Sequence, residues 1–428
     1  MTRSAFLWFA LAGCFGSGPT PSPSTAKTIF TAPAPQPNDV CNTSSFIGPV
    51  GLFSTMGYAI TLPYSPRDSN CGGGTSSGTA VEVTEFALDG STPNGSMVMN
   101  GMAGAADNGS PPPVIVAGQA GPLFAYANPN GGGATVLGPS NTPLMFDTIG
   151  QNATVVGLAL DPGSPTLYVG AVPTSGGGST DSDPASPNFP NNGFNMANDG
   201  SGALAPIPLP PVSGSLTHVG LPSFDCGLLH DCFTHNMTDL FFLSLPPTPG
   251  AYRAGVMDMS FSDPTALNQI DTVSDAGLGS MATVVGLAAD DQHLVYAFSN
   301  PPQPGCWIFD REIGSTGSSS MMVFASSQLS CMGLAIDSSA SFIYFTIVSP
   351  VEPQDCGGCQ PVIHGDGLGR VSLPPGGNNF ESRAFGLTSD FAGPRRVLIN
   401  GGMIFAVDPL TVVSIPSDAL AGAHDFNP

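Results

Sequence analysis

Residues 331–348 read CMGLAIDSSASFIYFTIV, and two other stretches follow the same pattern: VVGLALDPGSPTLYVGAV at 155–172 and VVGLAADDQHLVYAFS at 284–299. Each runs Gly-Leu-Ala-apolar-Asp, then a short polar turn, then an apolar segment carrying Tyr168, Tyr296 or Tyr344. Two apolar runs joined by such a turn predict an antiparallel hairpin. Aspartate suits the turn because its carboxylate accepts hydrogen bonds from nearby backbone amides. Glycine suits a strand that another backbone approaches closely.

Weaker copies lie outward from these three. Val219-Gly-Leu-Pro-Ser-Phe-Asp225 carries one inserted residue, and Phe385-Gly-Leu-Thr-Ser-Asp390 precedes Arg396-Val-Leu-Ile399. Gly104-Ala-Ala-Asp107 leads to Val114-Ile-Val116, and Val50-Gly-Leu-Phe53 lacks the aspartate. The glycines 51, 104, 157, 220, 286, 333 and 386 are separated by 53, 53, 63, 66, 47 and 53 residues. Two further strand-like runs follow several motifs, such as Cys306-Trp-Ile-Phe309 and Met321-Met-Val-Phe324. Four strands in about 50 residues is the period of a β-propeller blade, which must stack on its neighbours to bury its faces. The expected fold is all-β: a single β-propeller over 41–428 with seven four-stranded blades, six or eight being the alternative counts. A long loop insertion is expected near 173–211, where no apolar period is seen.

The pattern resembles lipoprotein β-propellers related to NHL and YWTD repeats, in which a "GLAVD…VY" hairpin precedes a second hairpin of the form G-x-I/V-x-R/K-V-x-L-x-x-GG. Asp366-Gly-Leu-Gly-Arg370-Val-Ser-Leu-Pro-Pro-Gly-Gly377 fits that second hairpin, while Ile308-Phe-Asp-Arg311 and Met403-Ile-Phe-Ala-Val-Asp408 fit in part. Only one tryptophan lies outside the first fourteen residues, so the repeated tryptophan of quinoprotein propellers is missing.

Composition agrees with a turn-rich β protein. The chain of 428 residues holds 55 glycines and 44 prolines, and charged residues make up only 9%, which disfavours long helices. Nine basic residues face 31 acidic ones, a net charge of −22, and Lys27 is the only lysine. No basic stripe exists to neutralise phosphates, so nucleic acid is excluded as a partner, as is direct attraction to anionic lipid headgroups.

The N-terminus points to a different route to the membrane. Met1–Gly13 carries Arg3 and a nine-residue apolar run, Ser4–Ala12. That run is too short to span a bilayer, which takes about 20 residues, and fits a signal-peptide core. It ends in Leu11-Ala12-Gly13-Cys14, which resembles the lipobox of bacterial lipoproteins; the resemblance implies a signal peptide over 1–13 and an acylated Cys14. Residues 14–40, rich in Pro, Ser, Thr and Gly, read as a disordered, flexible tether. Phe15 in place of aspartate implies, by the same resemblance, sorting to the outer membrane.

Without Cys14, eight cysteines remain: Cys41, Cys71, Cys226, Cys232, Cys306, Cys331, Cys356 and Cys359. An even number suits disulfides in an oxidising compartment, although eight cysteines allow 105 pairings. Nearest-neighbour couples (41/71, 226/232, 306/331, 356/359) are the simplest pattern. Cys356-Gly-Gly-Cys359 has redox-motif spacing without a thioredoxin-like context, so a loop staple is expected. Asp225, Cys226, His230, Asp231, Cys232 and His235 are expected to form a disulfide-tied loop, with zinc ligation by the same residues as the alternative. Asp181, Asp183 and Asp199 offer hard oxygens to Ca²⁺ in what otherwise reads as a solvated loop. His218, His293, His364 and His424 complete the histidines, and no catalytic residue is assigned.

Two functional classes follow. The first is a non-catalytic binding or scaffold module, a monomer without a cofactor, presenting its loops to an envelope protein or glycan. The alternative is a metal-dependent hydrolase or lyase with its site in the central channel.

Overall fold

The computed structural model describes residues 26–32, 44–64, 81–91, 95–99, 114–118, 121–127, 134–137, 143–146, 153–164, 166–173, 202–208, 219–221, 233–244, 253–274, 278, 282–299, 304–315, 319–348, 367–373, 379–385, 396–408 and 410–426. Among them stand seven four-stranded antiparallel sheets, and the fold is a β-propeller. Sheets 1 to 6 occupy 44–99, 114–146, 153–221, 233–274, 283–326 and 330–384, each with its strands side by side in chain order. Sheet 7 takes three strands from 396–416 and its fourth from Lys27–Thr31.

The first strands of successive sheets touch one another and form the hub. Crowding there dictates the local sequence. In sheet 5, Thr283–Ala289 pairs with His293–Ser299, placing Leu287 opposite Tyr296. A Cβ on Gly286 would meet Leu334 Cβ of sheet 6 at 2.4 Å, so only glycine admits that approach. A register shift recurs in the hub strands between Val155 and Gly157, Val284 and Gly286, and Met332 and Leu334. Gly333 sits in the last of these with φ 74°, the left-handed geometry that a glycine bulge uses.

The cores lie between sheets. Val295, Ile308, Ile343 and Phe345 are buried between sheets 5 and 6. There Cys306 and Cys331 are joined by a buried disulfide, 25 residues apart in sequence. Tyr344, Leu368, Val397 and Ile404 fill the space between sheets 6 and 7. Ile29, Phe30, Phe86 and Phe405 fill that between sheets 7 and 1, so the ring joins end to end through a strand the chain supplies before its first sheet.

Several expectations are corrected. The tether cannot extend over 14–40, because Lys27–Thr31 is a strand paired with Thr411–Pro416; its β-branched and aromatic residues bury Ile29 and Phe30. Gly220 lies in the outermost strand of sheet 3, and sheet 4 begins instead at Phe233–His235, where Asn236 opens the turn. Val114–Gly118 and Arg396–Asn400, read as second strands, are the first strands of sheets 2 and 7; Gly104 and Gly386 lie outside the described residues. The expected insertion at 173–211 contains a strand, Gly202–Pro208, paired antiparallel with the strand Thr166–Pro173.

The C-terminal segment covers an exposed edge. After the 3-10 turn Ser417–Leu420, Ser382 N–H donates to Ala423 O at 2.8 Å and Asp425 N–H to Ser382 O at 3.0 Å. This caps the outer strand of sheet 6, which would otherwise offer unpaired backbone groups. Among the described residues no helix is long and apolar enough to cross a membrane.

Candidate functional site

The repeat aspartates sit where the hub strands turn outward. Asp161 Oδ1 accepts from Gly163 N–H at 2.8 Å, Asp290 Oδ1 from Gln292 and His293 N–H at 2.8 and 2.6 Å, and Asp337 Oδ1 from Ser339 and Ala340 N–H at 3.1 Å. Asn236 does the same for Thr238 and Asp239, at 2.9 and 2.7 Å. These side chains close their own turns. Asp408 caps Leu410 and Thr411 in the second hairpin of sheet 7, not the first.

Buried charges tie sheets together. Asp271 of sheet 4 accepts from Ser320 N–H at 2.7 Å and meets Arg311 Nη1 of sheet 5 at 3.3 Å. Burial opposes the Asp271 charge, but the bonds from Ser320 and Thr272 and the Arg311 cation outweigh it and hold the carboxyl below the usual range. Tyr296 donates to Ser320, and burial holds its phenol above the ordinary value. In sheet 6, Arg370 binds Glu381, lies 4.1 Å over the Phe342 ring and donates to Ser417 O at 3.1 Å. The arginine of the second-hairpin pattern therefore serves packing.

Among the described residues, His235, His293 and His424 do not converge. His293 lies 3.0 Å from Asp310, whose carboxyl is pushed up by burial against the opposing effect of that histidine. His235 bonds Asn236 O at 3.1 Å and packs edge-on to Phe261, and burial lowers its pKa. His424 bridges to Ser382. Among the described residues, no group of three or more His, Cys, Asp or Glu side chains is arranged to hold a metal. Cys14, Cys41, Cys71, Cys226, Cys232, Cys356 and Cys359, together with Asp181, Asp183, Asp199, Asp225, His218, His230, Asp231 and His364, lie outside the described residues.

One buried polar atom had no warning in the sequence. Arg396 opens the hub strand of sheet 7, and its Nη2 is shielded from solvent with no hydrogen-bond partner. Burial alone pushes the guanidinium down to about 9, so it remains a cation at neutral pH. The only sequence signal is a basic residue at the head of an apolar run.

No family model and no curated protein sequence matches the chain. Among solved structures it is similar to a Mycobacterium tuberculosis puromycin-hydrolyzing peptidase, with 10% identity and a TM-score of 0.51. That match covers 91% of this chain and 55% of the peptidase, so the chain spans about half the length of that enzyme. It is also similar to virginiamycin B lyase from Staphylococcus aureus (9% identity, TM-score 0.45, 91% of this chain and 99% of that one). A streptogramin B lyase matches at 8% identity and TM-score 0.47, over 91% and 96% of the two chains. At these identities the likeness is one of fold.

Proposed function

We propose that the chain is a lipid-anchored protein of the bacterial cell envelope, sorted to the outer membrane, whose propeller is a non-catalytic binding or scaffold module for protein or glycan ligands. The observation that carries the module reading is the commitment of Asp161, Asp290 and Asp337 to backbone amides of their own turns. Carboxylates that recur in several sheets and close turns in each are architectural. A ring of such sheets offers a rigid frame on which connecting loops can present a ligand surface.

The anchor reading rests on Leu11-Ala12-Gly13-Cys14 and on the place where the fold begins. Thirteen peptide links separate Cys14 from Lys27, the start of the strand in sheet 7. Fully extended, they reach roughly 45 Å, enough to hold the disc clear of lipid headgroups. Acyl chains contribute ~0.8 kcal/mol per buried CH₂, so several together hold a protein stably on a bilayer.

Growth with an alkyne fatty acid, followed by click detection, tests the anchor: the chain is labelled and found in outer-membrane fractions, whereas Cys14→Ala is unlabelled and released. Labelling that persists in Cys14→Ala refutes it. For the module, the mature chain is expected to bind an envelope glycan or protein saturably on arrays and leave it chemically unchanged; turnover of the bound ligand refutes the non-catalytic reading.

A further inference from the structure

We propose that the outer strand of sheet 5, Met321–Ser326, is a docking edge for a partner protein, and that it takes up a short extended segment in which apolar residues alternate with basic ones. The inference deepens the binding-module reading and rests on it. Sequence sets this edge apart. The outer strands of sheets 4, 6 and 7 carry Asp271, Glu381 with Arg383, and Lys27, whereas MMVFAS holds no charge and no proline. Charges and prolines are among the devices that keep sheet edges from pairing with other chains. Among the described residues no further strand pairs with Met321–Ser326.

The side chains of this strand are open as well. Met321 and Met322 are 50% and 52% exposed, and Met237 is the other large apolar side chain exposed among the described residues. Met322 stands opposite Phe309, whose ring stacks on Tyr296 in the core shared with sheet 4. Met321 stands opposite Asp310, on the face that Ile308 turns toward sheet 6. The two thioethers therefore flank the edge, one on each face of the sheet. Flexible, polarizable methionine adapts to varied apolar side chains. Val323 is an extra residue between the Ile308–Phe324 and Phe309–Met322 pairs, and such a bulge limits regular pairing to a short segment.

Sheet 6 shows how an outer strand of this ring holds an added segment. There the C-terminal residues engage Ser382 through its N–H and C=O, and Phe426 enters the core between sheets 5 and 6. Two backbone hydrogen bonds and one apolar anchor suffice. Sheet 5 offers the same elements to an outside segment, the mode of strand addition.

Charge selects the occupant. A second copy would bring another net charge of −22 to the contact, which opposes pairing of like edges. Around Met321 stand Asp271, which accepts from Ser320, then Asp310 and exposed Glu312, against Arg311 and His293. Complementarity calls for a cationic segment.

The test uses the full chain and a fluorescent, acetylated heptapeptide of alternating lysine and leucine. Saturable binding is expected, with a Kd on the order of 100 μM that weakens as salt rises. Amide hydrogen exchange in 321–326 should slow as the peptide is added. Met321→Ser/Met322→Ser, two exposed changes, should weaken binding at least about tenfold. Proline at the centre of the peptide, which removes a backbone donor, should do the same. If the double variant does not fold, the exchange measurement and the proline peptide decide on the wild type alone. A glutamate–leucine or all-lysine peptide that binds as tightly overturns the inference. Binding without protection of 321–326, or equal binding by the double variant, also overturns it. So does a dimer in analytical ultracentrifugation that the double variant abolishes, since a second copy is then the occupant. An envelope protein captured equally by wild type and double variant overturns the docking edge and leaves the module reading intact. Turnover of an envelope ligand, alongside peptide protection of 321–326, refutes the non-catalytic reading and leaves the docking edge standing.

Discussion

Gly286 and Asp258 show two ways in which a single residue carries the stress of a crowded ring. At Gly286 the limit is steric, because a Cβ would stand 2.4 Å from Leu334 Cβ and 3.3 Å from Leu334 N. Gly286→Ala is expected to cost about 3 kcal/mol, the upper range for overpacking, measured by urea unfolding. At Asp258 the limit is electrostatic. Burial, reinforced by the Asp239 charge, pushes its carboxyl above the usual range against the opposing influence of Asn268 and Arg311, and Oδ1 has no partner. A carboxyl with a raised folded pKa holds its proton longer in the folded than in the unfolded state. Its ionisation therefore weakens the fold as pH rises through the folded value, and the penalty is absent below the unfolded value near 4. Asp258→Asn is expected to stabilise at pH 7 by no more than about 1 kcal/mol, since solvent screens the half-buried group. The gain should shrink toward zero as pH approaches 4. A gain independent of pH would show that ionisation is not the cause.

At the scale of strands and sheets, the Cys306–Cys331 bond links the third strand of sheet 5 to the first strand of sheet 6. Closing a loop of this size contributes about 3 kcal/mol in the chain-entropy description. The Cys306→Ala/Cys331→Ala variant should lose roughly that much, and under reducing conditions the wild type and the variant should share one unfolding midpoint. Nearest-neighbour pairing made this couple legible, as the Asp-turn-Tyr pattern made the hairpins of sheets 3, 5 and 6 legible. Other hairpins were hidden because different chemistry serves the same turn. Sheet 7 uses Asn400-Gly401-Gly402-Met403, with φ of 59° and 77° at the two glycines, a two-residue turn that needs no aspartate. Sheet 4 substitutes Asn236 after a three-residue strand too short to show a period. The Arg311–Asp271 pair and the orphaned Arg396 were out of reach for another reason. Which face of a strand meets which neighbour depends on sheet adjacency, and no local spacing records that.

For the molecule as a whole, closure depends on Lys27–Thr31. This strand completes sheet 7, pairing Lys27 with Ser414 and Thr31 with Thr411. Phe30 stacks on Phe86 of sheet 1 with centroids 5.1 Å apart, so the segment both finishes one sheet and packs against the next. Burying Ile29 and Phe30 is worth about 1.5–3 kcal/mol each, and their loss would also uncover the edge of Thr411–Pro416, inviting association with other chains. Two deletions separate anchor from architecture. Removing 16–25, the proposed tether, should leave the unfolding midpoint unchanged within about 0.5 kcal/mol. Removing 27–31 should cost about 3–6 kcal/mol and produce concentration-dependent light scattering at neutral pH. Unfolding curves from chemical denaturation, recorded at two protein concentrations, distinguish the cases. If both deletions melt alike and stay monomeric, the N-terminal strand does not hold the ring, and sheet 7 is stable with three strands.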